Sequence, residues 1–320
     1  MIEHVPALLA GDRRIAAKMI SLVENNGDQK TEILKAIYPH TGKAYILGIT
    51  GSPGAGKSSL TDQIISQYRQ RGQKVGVIAV DPTSPFTGGA LLGDRIRMNE
   101  HYTDRNVFIR SMGTRGSLGG LSRSTKEAIK ILDAFGCDII IVETVGVGQS
   151  ELEIMTAADT TIVVLTPGAG DSIQAIKAGI MEIADIFAIN KADLLGADRV
   201  VTEVEVMLDL AAHNHPQGSL PWRPPVVKTI TVRNEGVDKL IKAVDSHHEY
   251  LNESGRFTTE RQERLKAEFA EIMEHHIRDL IRNQLQKTGE WQALQDQVMG
   301  RTVDPHTAAE EILTKTFKKG

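Results

Sequence analysis

The stretch GSPGAGKS, residues 51–58, holds glycine, lysine and serine in an order suited to gripping a phosphate chain. Gly51, Gly54 and Gly56 let the backbone curl until successive N–H groups converge on one point, with Ser52, Pro53 and Ala55 filling the turns between them. Lys57 then carries an ammonium toward the β- and γ-phosphates of a nucleotide, and Ser58 offers a hydroxyl to Mg²⁺, an ion that takes few protein ligands. Ser59 follows in the first turn of a helix whose N-terminal partial charge adds to the grip. Glycine loops also arise by chance. Here the apolar run YILGIT before the loop and the helical stretch after it supply the context that phosphate binding needs.

A second candidate, NKAD at residues 190–193, closes the apolar run IFAIN and speaks to the base. The Asp193 carboxylate can accept from both N1–H and the 2-amino group of guanine. Adenine presents an acceptor at N1 and no 2-amino group, so the same carboxylate repels it. Asn190 is expected to tie this loop to the phosphate loop, and the stem of Lys191 to lie along the base or ribose. Alone the tetrapeptide is a common strand-to-helix turn; downstream of GSPGAGKS it is a guanine signature. After the last predicted strand, guanine-specific proteins usually place Ser-Ala-Lys or Ser-Ala-Leu. TITV, residues 229–232, stands there instead, and the amides of Ile230 and Thr231, with Val232 beside them, are expected to meet guanine O6.

A third, VETVG within DIIIVETVGVGQSE, puts Glu143 at the tip of an otherwise apolar run. Its expected task is the metal, either directly with slightly displaced geometry or through a coordinated water. Gly146 is expected near the γ-phosphate, and Gly148 to let the loop reorder when that group leaves. Asp81, at the end of VGVIAV, and Asp94, further along VDPTSPFTGGALLGDRIRM, are expected to approach Mg²⁺ from the side opposite Ser58; the alternative is that Asp81-Pro82 and Ser84-Pro85 are plain turns. Val147 occupies the place where a Ras-like protein has its water-orienting glutamine. Slow intrinsic hydrolysis is therefore expected, with Gln149 or a partner's residue completing the site.

These residues need a scaffold. The apolar runs YILGIT, VGVIAV, NVFIR, DIIIVE, TIVVLT, IFAIN and VVKTI alternate with amphipathic stretches, which predicts an α/β domain with a mostly parallel sheet covered by helices on both faces. Residues 1–40 carry helical spacing and are expected to form a helical arm, with the nucleotide domain at 41–250. Residues 251–320 form a C-terminal helical extension, whose stripe of Leu265, Phe269, Ile272, Met273, Ile277, Leu280, Ile281 and Leu285 asks for a partner, a second copy being favoured. The chain has 320 residues, 41% of them apolar, and a formal charge of −4, which gives no general basic field for nucleic acid or anionic membrane. Cys137 is the single cysteine, as suits a reducing compartment, and the N-terminal region reads as neither signal nor transit peptide; a cytoplasmic location is expected.

Taken together, GSPGAGKS, AVDPTSPFTGGALLGDRIRM, ETVGVGQSE, PGAGD…IKAGIMEIAD and NKAD resemble the MeaB/ArgK G-proteins, at motif level over roughly residues 40–250. That resemblance implies a homodimeric GTPase chaperone that binds GTP or GDP with Mg²⁺. It implies a role in gating adenosylcobalamin delivery to an acyl-CoA mutase, and in protecting that enzyme. It also assigns Asp81, Asp94 and Glu143 to the Mg²⁺ side and Lys177 to an additional switch. A nickel-inserting GTPase is the first alternative. His213, His215, His247, His248, His275 and His276 are the histidines available to it, and all six are expected at the surface. A transport-associated ATPase, the second alternative, fits NKAD poorly. No DxHxxG-type cobalamin motif is present, so any cobalamin is expected to belong to the partner.

Overall fold

The computed structural model describes residues 1–81, 101, 103–113, 123–144, 153–168, 181–215, 221–288 and 290–317. A seven-stranded sheet forms the centre, in the order β3-β2-β4-β1-β5-β6-β7. Its strands are β1 Tyr45–Gly51, β2 Val75–Asp81, β3 Val107–Gly113, β4 Ile139–Glu143, β5 Thr160–Leu165, β6 Ile186–Asn190 and β7 Val226–Thr229. Every pairing between these neighbours is parallel. Parallel strands must be reached by crossovers, and crossover helices cover both faces, which is why the inner strands read as unbroken apolar runs.

Side chains alternate between the two faces with the pleat. On one face Ile78, Val80, Ile140 and Val142 pack with α1 Val5–Leu9, α2 Arg13–Glu24, α3 Lys30–Ile37 and α5 Arg123–Ala134. On the other, Val75, Val77, Ile139, Ile141, Leu47 and Ile49 pack with α4 Lys57–Gln70 and α7 Val237–Glu253. Val163, Leu165, Phe187 and Ile189 meet α6 Ala197–Asn214. The start of α2 is fixed by Asp12, whose carboxylate accepts from the backbone N–H groups of Arg14 (2.8 Å) and Ile15 (3.2 Å). Met19, Ile20, Ile33 and Ile37 are fully buried, each contributing roughly 1.5–3 kcal/mol of apolar burial, so the N-terminal helices share the core of the sheet.

Met1–Phe257 and Thr258–Gly320 form two compact units. The second comprises nearly all of α8 Arg256–Thr288, together with α9 Glu290–Met299 and α10 Pro305–Phe317. Within it Leu294 and Ala308 are buried, whereas Leu265, Phe269, Met273, Ile277 and Leu280 along α8 are exposed. Among the described residues no helix is long and apolar enough to cross a membrane.

Candidate nucleotide-binding site

β1, β4 and β6 deliver the three sequence motifs to one edge of the sheet, because all run in the same direction and each motif sits at a strand's C-terminal end. Brought together there are the loop 51–56, the acid of β4 and the NK dipeptide of β6. Two glycines are required by contact. Gly51 has φ 137°, and a Cβ there would lie 2.1 Å from the Val164 carbonyl oxygen of β5; Gly56, with φ 89° at the N-cap of α4, would push a Cβ to 2.4 Å from Asn190 Nδ2. Lys57 is buried, and its ammonium donates to the carbonyls of Gly51 (2.7 Å) and Ser52 (3.1 Å), so it lies folded over the mouth of the loop. Pro53 and Gly54 are exposed at the tip, Ala55 and Ser52 buried and Ser59 half-buried.

Glu143 ends β4 beside Ile49 of β1 and is 2% exposed. Both of its oxygens are engaged: Ser58 Oγ donates to Oε1 at 2.6 Å and Thr61 Oγ1 to Oε2 at 2.8 Å. Behind it, Thr144 Oγ1 donates to Thr50 Oγ1 at 2.8 Å, locking β4 to β1. Thr61 carries no motif and escapes notice in the sequence. Its signal is its spacing, three residues after Ser58 on one helix face. The donor set suits Mg²⁺: two hard oxygen-bearing side chains in contact, at the N-terminus of a helix that a phosphate would cap. Among the described residues no group of three His, Cys, Asp or Glu is placed to hold a metal ion.

Asn190 is fully buried between the two loops. Its Nδ2 donates to the Ala55 carbonyl at 2.8 Å, and its Oδ1 accepts from Thr229 Oγ1 at 3.2 Å. Lys191 adopts φ 55°, unusual for a non-glycine residue, and its ammonium donates to the Gly54 carbonyl at 2.8 Å. The NKAD tetrapeptide is thus fastened to the loop 51–56 at two points. Asp193 remains one-third exposed, with Arg233 Nη2 3.8 Å from its Oδ2.

Two expectations need correction. The Ile230 N–H is donated to the Glu235 carbonyl at 3.0 Å, closing a small bridge that removes this amide from the base-reading role expected of it. Thr231 is buried next to it and Val232 is 86% exposed. Nor are all six histidines at the surface, since His247 is 3% exposed and faces the core from α7. Arg233 has no sequence signal, because its partner Asp193 lies on another loop. Asp81 is described only as the last residue of β2. Asp94, Gly146, Gln149 and Lys177 lie outside the described residues.

Comparison with known proteins supplies the context. A family model described as methylmalonyl Co-A mutase-associated GTPase MeaB matches residues 16–286. The chain is 51% identical to a Pyrococcus abyssi protein provisionally named a GTPase, over 99% of this chain and 97% of that one. It is 38% identical to GTPase ArgK of Escherichia coli K12, over 82% and 80% of the two chains. To the methylmalonic aciduria type A homolog of mouse mitochondria it is 32% identical, over 97% and 78%. Among solved structures, that of an LAO/AO transport system kinase superposes with a TM-score of 0.70 at 28% identity, covering 99% of this chain and 97% of the other.

Proposed function

The chain belongs to the MeaB family of methylmalonyl-CoA mutase-associated GTPases, and on that premise we propose that it is a guanine-nucleotide switch serving an adenosylcobalamin-dependent acyl-CoA mutase, gating cofactor loading and protecting the enzyme. The observation that supports this is the bond from Asn190 to the Ala55 carbonyl, which ties the NKAD loop to the loop 51–56.

In this reading the Lys57 ammonium exchanges the Gly51 and Ser52 carbonyls for phosphate oxygens, and backbone N–H groups of the loop and of the first turn of α4 would turn to the same anion. Ser58, backed by Glu143, would hold Mg²⁺ together with phosphate and water, with Asp81 and Asp94 approaching from the other side. When bound, that ion offsets charge developing on the transferring phosphoryl group. Asp193 pairs with guanine N1–H and the 2-amino group, and Arg233 orients it. The amides of Thr231 and Val232 take guanine O6. Gly146 reports on the γ-phosphate, Gln149 helps to place the attacking water, and Lys177 belongs to a second switch that addresses the mutase. A transport-associated ATPase would have to accept adenine, which the Asp193 carboxylate disfavours. The mouse relative's name, by contrast, points to methylmalonyl metabolism.

The chain works in the cytoplasm, without nucleic acid or membrane, as a homodimer built through the second unit. Because Val147 stands where a water-orienting glutamine is usual and Gln149 supplies only part of that function, hydrolysis is slow until the mutase completes the site. Single-turnover GTP hydrolysis is expected to rise on the order of 10³-fold when a cognate mutase is added. A rate that does not change with any adenosylcobalamin-dependent acyl-CoA mutase would refute partner completion.

A further inference from the structure

Thr61 is fully buried, and nothing in the motif of the phosphate loop calls for a hydroxyl there. A buried hydroxyl costs stability unless it is hydrogen-bonded, and an aliphatic side chain of the same outline would fill the space equally well. The hydroxyl's acceptor is Glu143 Oε2 at 2.8 Å. Ser58 and Thr61 stand one turn apart on the same face of α4, and the carboxylate spans them, taking Ser58 on Oε1 at 2.6 Å. A glutamate at a strand tip has three side-chain torsions to settle, one more than aspartate. Two hydroxyls on one rigid helix settle them.

We propose that Thr61 is a positioning residue for Mg²⁺, fixing Glu143 so that its Oε1 stays on the hydroxyl hydrogen of Ser58 while the Ser58 oxygen lone pair faces the metal. A neutral serine ligand must place its hydrogen somewhere, and a carboxylate held in contact is the acceptor that strengthens it as a ligand. Glu143 then acts from behind Ser58, and the extra methylene of glutamate over aspartate is taken up by the reach to Thr61. This inference rests on the nucleotide-binding reading above.

The test is a Mg²⁺ titration of the full chain, following a fluorescent GDP analogue, with a parallel measurement in EDTA and a melting curve without nucleotide. Thr61→Val is expected to raise the Mg²⁺ midpoint about 10- to 100-fold, and Thr61→Ser to restore it within about threefold. The affinity in EDTA should hardly change. In a Glu143→Gln background, Thr61→Val should add less than about threefold, since Thr61 acts through that carboxylate. An unmoved midpoint in Thr61→Val overturns the proposal, as does an equal loss of affinity in EDTA, which marks a structural role. If Thr61→Val does not fold, Thr61→Ala is read by the same criteria. Wild-type protein that binds no guanine nucleotide at all would instead defeat the functional reading itself.

Discussion

His247 shows how burial can decide the charge of a single side chain. Its Nδ1 lies 2.6 Å from Thr160 Oγ1, which also bonds the Tyr45 hydroxyl, and its ring centroid is 4.8 Å from that of Trp222. Burial, seconded by Arg256 and His248, pushes its pKa down to about 4 from an ordinary value of 6.5, although Asp185 Oδ1 stands 3.4 Å from Nε2. The folded state therefore binds this proton less readily than the unfolded chain does. Its contribution is intact above pH 6.5 and lost as pH falls toward 4, amounting to about 3 kcal/mol across that window. His247→Gln should remove this component, giving a shallower fall of unfolding free energy between those limits than wild type; identical slopes would contradict the assignment. The burial itself was legible. Leu240, Val244, His247 and Leu251 follow the spacing of one helix face, a stronger signal than the adjacency of His247 and His248. Arg233 beside Asp193 was not legible, because only the fold brings loops so far apart in sequence together.

At the scale of elements, the strands announced themselves. A strand covered on both faces needs apolar residues at every position, and IIIVE of β4 breaks that rule only at its tip, where Glu143 meets two hydroxyls. The bridge that consumes the Ile230 amide was hidden, since a backbone amide carries no mark in the sequence of where its hydrogen bond goes. Helix α8 poses the opposite problem: its apolar stripe was plain, yet Phe269 is 66% and Leu280 62% exposed. A contiguous row of side chains of this size suits association, and in the proposed homodimer a second copy of the same helix would offer a matching stripe. Sedimentation of the intact chain is expected to give a dimer, and the double variant Phe269→Glu with Leu280→Glu a monomer with an unchanged first unit. A wild-type chain that stays monomeric at all concentrations would contradict this.

For the whole molecule, function depends on segments distant in sequence meeting at one sheet edge, and the strand order achieves this by placing β1 between β4 and β5 with β6 next in line. The N-terminal helices steady the opposite half, through Met19, Ile20 and Ile33 in the core shared with β2 and β4. Helical spacing alone could not reveal that they share it, because an amphipathic helix needs a partner without naming one. In the proposed reading this edge recognises guanine through Asp193, while the loop after β1 at the same edge grips the phosphates. Calorimetric titration of the wild-type chain and of Asp193→Ala with GDP and ADP, both with Mg²⁺, tests it most directly. The account predicts that wild type prefers GDP by at least about 10³-fold and that Asp193→Ala loses nearly all of this preference by weakening GDP; equal affinities in wild type, or an undiminished preference in the variant, would contradict it.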